Sequence, residues 1–563
     1  MPVTTIESDY VIVGGGSAGC ILAERLSRAP DRRVVLIEAG QDTPPQATPA
    51  NILDIYPSSQ SDPAYYWPDL EVDLAKPPVR ARRQPRPFWN FGQARVLGGG
   101  GSVMGMIALR GVPADYDSWR DNGCAGWGWN DVLPYFQRVE RDLDFNGGLH
   151  GTEGPIPIRR IPRAQWPGFL QIVGGALAAH GHRFIADLNG AVPCGFGPIP
   201  KSCTPEHRVS SAIAYLTHEV RARTNLVIVS ESPADEILFE GRRAVGVMIS
   251  SGQLRVSAHK VILSCGAIHS PAMLMRAGIG PAEQLAALGL DVRVNLPGVG
   301  RNLQNHPMLS VAVHLQSSIR QPRAIREMCG LWMRYSSGLP DCPPADSCLN
   351  VLGAAAPHPV AAELGAIGTS VYKSFSQGEV RLTQPRWGSP VNVRFNLLQD
   401  QRDLTRMVAG FAYCLRLLEH PTVRARHNEV FLPDPALARY FGGTGLKPYL
   451  KSLGARTALR VSPLRRRLLR RTGLDPVKLL ADEVALRELV LQMTGVGGHV
   501  VGTCRMGAKS DPGAVVDPHC RVHGVSGLRV VDASVMPSIV SGNTNLTVQM
   551  IAERVADLIR ALD

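Results

Sequence analysis

Apolar and polar residues follow a recognisable order at the start of the chain. An apolar run at residues 10–13 meets a glycine-rich stretch at residues 14–19, and an amphipathic stretch at residues 21–26 follows. A second apolar run, residues 34–37, ends at Glu38. This order predicts a strand, a tight turn, a helix and a second strand, which together form the βαβ unit of a nucleotide-binding α/β fold.

The glycines of this turn have separate roles in such a unit. Gly14 permits the tight turn, Gly16 lets a pyrophosphate approach the backbone, and Gly19 lets the helix pack closely on the strand. The phosphates would meet the unpaired N–H groups at the start of the helix. Glu38 would hydrogen-bond a ribose hydroxyl, and its charge disfavours a cofactor with a 2′-phosphate. Glycines that serve only as a structural turn are the alternative.

The rest of the chain contains two kinds of pattern. Residues 261–268 and 528–534 again lead from an apolar strand into a turn, and residues 547–562 form an amphipathic helix. Between residues 309 and 482 this rhythm is lost, and the alternation at residues 391–397 predicts a strand of a different sheet. The pattern therefore predicts a second lobe in the middle of the chain.

The composition excludes several classes of protein. With 563 residues, 44% of them hydrophobic and 19% charged, the chain can bury a large core, so disordered, fibrous and small binding-module classes are excluded. Eleven cysteines without paired spacing indicate free thiols rather than a disulfide framework. No secretory signal or long apolar span is evident in the sequence, and we therefore expect a cytoplasmic location.

The positive charge is concentrated in one segment. Residues 447–473 carry nine of the twelve excess positive charges and no acidic residue. Within it, the stretch from Arg456 to Arg471 is interleaved with leucines, which indicates either a solvated surface helix or lid, or an amphipathic helix that contacts an anionic membrane or an electron acceptor. Interleaved aromatic residues are lacking, so we expect no nucleic-acid partner.

Five ordered motifs together resemble one enzyme family over almost the full length of the chain. They are residues 14–19 with Glu38, residues 95–110, residues 266–271, residues 299–307, and the C-terminal pair formed by residues 498–507 and 541–545. In this order they resemble the glucose-methanol-choline (GMC) family of flavin oxidoreductases. Within that family the chain looks most like the bacterial branch that oxidises furanic and benzylic alcohols, related to the aryl-alcohol oxidases.

The resemblance implies a fold class and a division into domains. It implies an α/β protein in which a discontinuous, Rossmann-like FAD-binding domain is joined to an α+β substrate-binding lobe, as in p-hydroxybenzoate hydroxylase. The FAD-binding domain is expected at residues 1–160, 206–308 and 485–563. The substrate lobe is expected at residues 161–205 and 309–484, and the latter includes the basic insertion at 447–473.

The resemblance also implies the chemistry. His499 would take the hydroxyl proton of an alcohol while FAD takes the hydride at its N5 atom, and an imidazole with an ordinary pKa of about 6.5 suits that role. Asn543 would hydrogen-bond the developing alkoxide, and Asn545 would lie near the flavin pyrimidine ring. The expected product is an aldehyde from a primary aromatic alcohol.

Further residues are assigned to the cofactor by the same resemblance. The predicted FAD contacts are Gly14, Gly16, Ser17, Ala18, Gly19, Glu38, Ala39, Arg95, Leu97, Gly98, Gly101, Ser102, Val103, Asp532, Ala533, Asn543, Asn545 and Leu546. No residue spacing suggests a metal ligand set, so no metal is predicted.

The chain departs from the family pattern at three positions. Met104 replaces the usual asparagine, which removes a polar contact near the flavin. Val103 stands where some relatives attach FAD through a histidine, so noncovalent FAD is expected. Gly498 stands where the furan-alcohol oxidases carry a bulky aromatic residue, which should enlarge the pocket. We expect structural roles for His306 and Cys504.

The sequence is compatible with more than one electron acceptor and more than one reaction. The electron acceptor is oxygen or a quinone, and a dehydrogenase acting on a bulkier or aliphatic alcohol is the alternative to an aromatic-alcohol oxidase. A hydroxynitrile lyase or a flavin photodecarboxylase would use the same fold. The oligomeric state is not indicated by the sequence.

Overall fold

The computed structural model describes residues 4–78, 88–249, 252–355, 358–433, 446–470 and 472–562. Its helices are Ser17–Leu26, Ala50–Leu53, Gly100–Val103, Pro113–Asp121, Trp129–Val139, Gly168–Ala179, Ser211–Tyr215, His218–Arg221, Gly266–Arg276, Ala282–Ala287, Gln401–Glu419, Pro421–Arg424, Leu446–Arg460, Ser462–Leu469, Pro476–Ala481, Glu483–Met493 and Thr544–Leu562. Together with two large sheets, they confirm the predicted α/β class.

The first sheet carries the predicted βαβ unit. Its strands are ordered Ala234–Glu240, Arg243–Ile249, Leu254–Leu263, Thr4–Val13, Val34–Ile37 and Leu226–Val229, and Leu528–Val530 also pairs with Leu254–Leu263. The central strands run parallel. Val11, Ile12, Val34 and Val35 are fully buried, as expected for parallel strands covered on both faces, which appear in the sequence as continuous apolar runs.

The second sheet is antiparallel and is built from the middle of the chain. Its order is Gly473–Leu474, His427–Phe431, Pro307–Leu315, Leu364–Val371, Ser347–Leu352, Gly330–Tyr335 and Gly195–Pro198, and Gly495–Val496 also pairs with Pro307–Leu315. The predicted strand at residues 391–397 forms at Val391–Arg394, but it belongs to a smaller sheet with Glu379–Leu382, Glu71–Asp73 and Phe88–Asn90.

Two minor sheets complete the strands. One contains Glu140–Asp142, Ile156–Arg159 and Lys201–Ser202, and the other pairs Ile279–Gly280 with Val294–Asn295. All eleven cysteines are free thiols. No helix in the described ranges has the length and apolar character needed to cross a bilayer.

The last helix, Thr544–Leu562, is anchored on the first helix, Ser17–Leu26. The Arg25 guanidinium binds the buried Glu553 carboxylate through two nitrogens at 2.7 and 2.8 Å. The Tyr215 hydroxyl donates to the same carboxylate at 2.7 Å. Paired charges with further hydrogen bonds tolerate burial, so this cluster fixes the last helix beside the glycine turn.

The basic insertion forms two helices where the sequence suggested one. Leu446–Arg460 ends before Val461, and Ser462–Leu469 begins there with Pro463 in its first turn. Proline has no N–H to continue the preceding helix and fits the first turn of the next one. The helix is therefore interrupted at Val461.

Candidate active site

A cavity of about 600 Å³ lies where the two large sheets meet. Residues from the first sheet, such as Val13 and Ile37, form one side, and Met308 and Asn350 from the second sheet form the other. The glycine turn after the first strand opens into the same cavity. A nucleotide bound at the turn would therefore extend toward the second sheet.

The structure brings most of the predicted site residues to this cavity. Its lining includes Gly14, Gly16, Ser17, Ala18, Glu38, Ala39, Gly101, His499, Asp532, Ala533, Asn543 and Asn545. The other predicted contacts, which are Gly19, Arg95, Leu97, Gly98, Ser102, Val103 and Leu546, are not lining residues but lie next to them in the chain. The assignment of individual residues to the cofactor stays a prediction.

Close backbone contacts explain two of the glycines in the first turn. Gly14 has a φ of +102°, and a Cβ atom there would lie 2.4 Å from the Ser264 carbonyl oxygen. A Cβ atom on Gly19 would lie 2.0 Å from the Gly14 carbonyl oxygen. Gly16 is different, because a Cβ atom there would meet only the Ser264 oxygen at 3.9 Å. The space above Gly16 is open to the cavity.

Glu38 has partners within the protein. One carboxylate oxygen accepts a hydrogen bond from the Gly15 N–H at 2.8 Å, and the other accepts from the Gly40 N–H at 2.7 Å. Burial raises the pKa of the carboxyl group, while these two N–H donors oppose that shift. Glu38 therefore joins the glycine turn at residues 14–16 to the end of the strand Val34–Ile37, and it also lines the cavity.

The second glycine-rich turn packs directly on the first. The Gly98 N–H donates to the Gly15 carbonyl at 2.7 Å. A Cβ atom on Gly99, whose φ is +56°, would lie 3.0 Å from Gly16 Cα. The Ser17 hydroxyl also donates to Asn545 Oδ1 at 2.6 Å. Elements distant in sequence thus form one continuous wall of the cavity.

His499 and Asn543 are adjacent in the cavity. Asn543 Nδ2 lies 2.9 Å from His499 Nε2. Enclosure by the protein lowers the pKa of His499 to about 4, because burial disfavours the charged imidazolium. The imidazole is therefore neutral at physiological pH and can accept a proton.

His306 lies on the other side of the His499 ring. The two Nδ1 atoms are 2.9 Å apart, and the ring centroids are separated by 4.9 Å. The sequence predicted only a structural role for His306, and it carried no signal for this contact because the two residues are 193 positions apart.

The second sheet and its neighbouring loops supply further lining residues that the sequence analysis did not assign to the site. Apolar residues there are Ile107, Met308, Met328, Trp332 and Leu352, and polar residues are Ser310, Asn350, Ser370 and Tyr372. Ile107 lies in the motif at residues 95–110, but the others come from different strands and loops and no local motif marks them. The mostly apolar wall suits a substrate with an aromatic or aliphatic body.

Met104 occupies space next to Gly498. A Cβ atom on Gly498 would lie 3.5 Å from the Met104 methyl carbon and 3.6 Å from its sulfur. The methionine side chain therefore packs against the glycine that should enlarge the pocket. The two departures from the family pattern are in contact, and a pocket larger than that of the furan-alcohol oxidases stays a prediction.

Three buried polar atoms on the cavity wall suit a polar ligand. Among the described residues, Asn543 Oδ1, Gln93 Oε1 and His269 Nε2 have no hydrogen-bond partner in the protein. The His269 ring also packs against the Trp67 ring, with the centroids 4.5 Å apart and the planes tilted by 41°. Since unpaired buried polar atoms are costly, these groups fit a cofactor that has several donors and acceptors. His269 lies in the motif at residues 266–271, whereas Gln93 lies outside the five ordered motifs.

A separate cluster brings Glu140, Asp142 and His150 within metal-ligand distance of one another. Arginine cations already occupy it, because Arg110 pairs with Glu140 and Arg160 pairs with Asp142 at 2.9 Å. Burial lowers the pKa of His150, but hydrogen bonds to acidic groups outweigh that effect and raise it to about 10. The cluster is an ion-pair network of the fold.

Comparisons with known proteins agree with this geometry. The GMC oxidoreductase N-terminal family model matches residues 8–308, and the C-terminal model matches residues 374–552. The chain is 40% identical to 5-(hydroxymethyl)furfural oxidase of Methylovorus sp., with 98% of both chains covered. It is 33% identical to an oxygen-dependent choline dehydrogenase of Burkholderia thailandensis, with 99% of this chain and 94% of the relative covered.

A solved structure shares the fold over the whole chain. The crystal structure of pyridoxine 4-oxidase from Mesorbium loti matches with a TM-score of 0.80 and 27% identity, and the match covers 99% of this chain and 100% of the other. The resemblance inferred from the ordered motifs is confirmed. The chain belongs to the GMC oxidoreductase family.

Proposed function

We propose that this protein is an FAD-dependent oxidoreductase that converts a primary benzylic or furanic alcohol to its aldehyde. The observation that carries the proposal is the pair of His499 and Asn543, which lie 2.9 Å apart in the cavity that begins at the dinucleotide turn. Membership of the GMC family and 40% identity to a 5-(hydroxymethyl)furfural oxidase support the same chemistry.

The residues present fit FAD. The glycine turn at residues 14–16 and the start of the helix Ser17–Leu26 would bind the diphosphate through backbone N–H groups. The partnerless atoms of Asn543, Gln93 and His269 would bind polar atoms of the cofactor or substrate. When bound, FAD supplies a hydride acceptor, and the protein supplies orientation and a base.

The two active-site side chains divide the work on the alcohol. His499 Nε2 takes the hydroxyl proton, which makes loss of hydride from the adjacent carbon favourable. Asn543 Nδ2 lies 2.9 Å from His499 Nε2, and once the hydroxyl takes its place there the same N–H group can donate to the substrate oxygen and stabilise the developing alkoxide. The apolar wall around Met328 and Trp332 holds the ring of the substrate and excludes water.

An anaerobic titration tests the proposal. The purified flavoprotein is mixed with a panel of benzylic, furanic and aliphatic alcohols, and the visible flavin spectrum is recorded before and after each addition. Bleaching by an aromatic primary alcohol is the expected result, and admission of air then separates an oxidase from a quinone-dependent dehydrogenase. A flavin that no alcohol bleaches, even after long incubation, would overturn the proposal.

The acid limit of the reaction should lie unusually low. Because His499 accepts a proton only when neutral and its pKa is lowered to about 4, we expect the anaerobic rate constant for flavin reduction to be constant above about pH 6. It should fall about tenfold per pH unit below about pH 4. Stopped-flow absorbance over this range measures it, and a limb at or above pH 6.5 would contradict the prediction.

We propose that FAD is held without a covalent bond. Val103, at the position where some relatives carry the linking histidine, is fully buried and has no nucleophilic atom. We expect acid precipitation to leave a colourless pellet and to release all of the flavin into the supernatant. A peptide that keeps flavin absorbance after proteolysis would contradict this prediction and would identify the attached residue.

We also propose peripheral contact with an anionic membrane through the surface of residues 446–470. Of the twelve exposed large apolar side chains in the described residues, seven lie in this segment: Leu446, Tyr449, Leu450, Leu453, Val461, Leu464 and Leu468. The segment has no acidic residue. Exposed apolar residues beside cations suit insertion into an anionic interface.

Part of the positive charge in this segment serves the fold. Arg456 and Arg460 bind the buried Glu363 carboxylate at 2.8 and 2.9 Å, and Arg465 binds Glu429. Arg466, Arg467 and Arg470 are exposed, and of these Arg466 lies 3.9 Å from a Glu429 carboxylate oxygen. The exposed arginines are the ones available to lipid headgroups.

Sedimentation with vesicles tests the membrane contact. We expect binding to vesicles that contain phosphatidylglycerol but not to pure phosphatidylcholine, and a more than tenfold loss of binding in the triple variant R466E/R467E/R470E. The control R242E/R255E/R323E makes the same change of charge at exposed positions elsewhere. Equal binding of both triple variants, or equal binding to both lipids, would contradict the proposal.

We also propose the division of the chain into two domains, from the origin of the strands in the two large sheets. The first sheet takes strands from residues 4–37, 226–263 and 528–530, and the second sheet takes its strands from residues 195–198, 307–371, 427–474 and 495–496. These sheets would be the centres of the FAD-binding domain and the substrate lobe, respectively.

A further inference from the structure

The hydrogen bonds around His306 determine where its proton lies. Its Nε2 atom is 3.2 Å from the Val540 carbonyl oxygen, which can only accept a hydrogen bond, so Nε2 carries the proton. The side chain is fully buried. Burial and the neighbouring His499 lower the pKa of His306 well below its usual value, so the ring stays neutral. Its Nδ1 atom therefore presents a lone pair.

That lone pair faces His499. The two Nδ1 atoms are 2.9 Å apart, and two lone pairs cannot form a hydrogen bond, so His499 Nδ1 must carry a proton and donate it. A neutral imidazole holds only one ring proton, which leaves His499 Nε2 unprotonated. Nε2 accepts from Asn543 Nδ2 at 2.9 Å, and both residues line the cavity.

The backbone on either side keeps this contact in place. Asn305 Oδ1 accepts from the His306 N–H at 2.8 Å and from the His499 N–H at 3.3 Å. Asn305 Nδ2 donates to the Gly497 carbonyl at 2.7 Å. One asparagine thus joins the segment before the second sheet to the loop that carries His499.

We propose that His306 is a positioning residue that holds His499 in its Nδ1–H tautomer and keeps Nε2 unprotonated, and that the alcohol hydroxyl replaces the Asn543 amide N–H as the donor to Nε2. The inference rests on the proposed role of His499 as base. The hydroxyl proton moves to Nε2 and gives the imidazolium, and the Nδ1 proton stays hydrogen-bonded to His306. The fixed tautomer removes the need for ring rotation or proton exchange before each turnover, as it does for histidine bases oriented by a second residue.

Two other titratable side chains, those of Tyr372 and Lys373, lie near the His306 ring. The Tyr372 ring lies 4.9 Å away by centroids, and burial raises the pKa of its hydroxyl, which therefore stays neutral. The Lys373 ammonium forms an ion pair with Asp115 at 2.8 Å. The pH response of the His306 variants is consequently assigned to His499.

The first test measures the tautomer in the unaltered flavoprotein. The protein is labelled with ¹⁵N-histidine, and the His499 signals are assigned by their loss in His499→Gln. A protonated Nδ1 and an unprotonated Nε2 at neutral pH are expected. The opposite tautomer would overturn the proposal without any further variant, and this readout does not depend on alcohol oxidation. If the tautomer is as expected while His499→Gln oxidises alcohols at the normal rate, the proposed function of His499 fails instead.

The second test removes and restores the acceptor. His306→Leu should reduce the anaerobic rate constant for flavin reduction about 10- to 100-fold, because the His499 imidazolium loses the acceptor of its Nδ1 proton. The KM for the alcohol should stay within about threefold of that of the unaltered enzyme. The acid limb should also move about one pH unit lower, since the imidazolium is less stable. His306→Asn keeps an acceptor oxygen near the Nδ1 position and should recover to within about fivefold of the unaltered enzyme.

His314→Leu is the matched control. Like His306, His314 is a buried histidine, and it lies on the strand Pro307–Leu315. Its Nδ1 atom is 2.9 Å from Asn428 Nδ2. Its loss should leave the rate constant and the acid limb unchanged. A flavin-loaded His306→Leu that equals the unaltered enzyme, or a His306→Asn as slow as His306→Leu, would overturn the proposal. If the variants fail to fold, the tautomer measurement alone decides it.

Discussion

Replacement of His499 by glutamine is expected to lower the anaerobic rate constant for flavin reduction about 10²- to 10⁴-fold, with FAD still bound. A positioned base contributes about this factor to a proton transfer. Glutamine retains a polar group near the Nε2 position but cannot take up a proton. Stopped-flow measurement with a saturating aromatic alcohol gives the rate constant, and the visible spectrum confirms the bound flavin.

A second histidine serves as the control for that experiment. His523 is partly buried and hydrogen-bonds the Gly507 carbonyl at 3.2 Å, and it is not part of the cavity lining. His523→Gln should reduce flavin at the normal rate. If His499→Gln stays within tenfold of the unaltered enzyme, another group is the base.

The substitution Gly16→Ala is expected to weaken FAD binding about 10²-fold without unfolding the protein. The φ of Gly16 is −72°, and the new methyl group would have only one contact, at 3.9 Å, so the fold tolerates alanine. The methyl group points into the space that the diphosphate needs, and the lost N–H to phosphate hydrogen bonds account for about 3 kcal/mol. Titration of the apoprotein with FAD, followed by flavin fluorescence, measures the change.

Substitutions at two other glycines distinguish an effect on FAD binding from an effect on folding. Gly14→Ala should destabilise the protein itself, because its φ is +102° and its Cβ would lie 2.4 Å from a carbonyl oxygen. Gly175 lies in the helix Gly168–Ala179 with open space around it, so Gly175→Ala should leave the affinity for FAD unchanged and should not lower the melting temperature, since alanine favours the helix. If Gly16→Ala binds FAD normally, the diphosphate does not approach that turn.

Local sequence patterns predicted the local parts of the fold well. The apolar runs at residues 10–13 and 34–37 lie in Thr4–Val13 and Val34–Ile37, because strands buried on both faces need continuous apolar residues. The strand expected at residues 391–397 stops at Arg394, and Asn396 then adopts a φ of +50°, which a strand does not accommodate. Such a turn is decided by neighbours outside the local pattern.

The sequence could predict only those residues of the candidate site that lie within recognisable motifs. The pair of His499 and Asn543 lies in two C-terminal motifs, and the structure places these side chains 2.9 Å apart. The contact of His499 with His306 spans 193 positions, so no periodicity indicates it. The same holds for Trp332 and Met328, whose approach to the cavity depends on how the second sheet folds over the first.

The bond between Ser17 and Asn545 also has a consequence for the growing chain on the ribosome. The two residues are 528 positions apart, and at about 5–20 residues per second the second is synthesised about half a minute to two minutes after the first. The glycine turn emerges first, yet its wall is completed by the segment made last. Cofactor capture during translation would therefore involve an incomplete site, and tight retention of FAD should begin only after nearly the whole chain has been made.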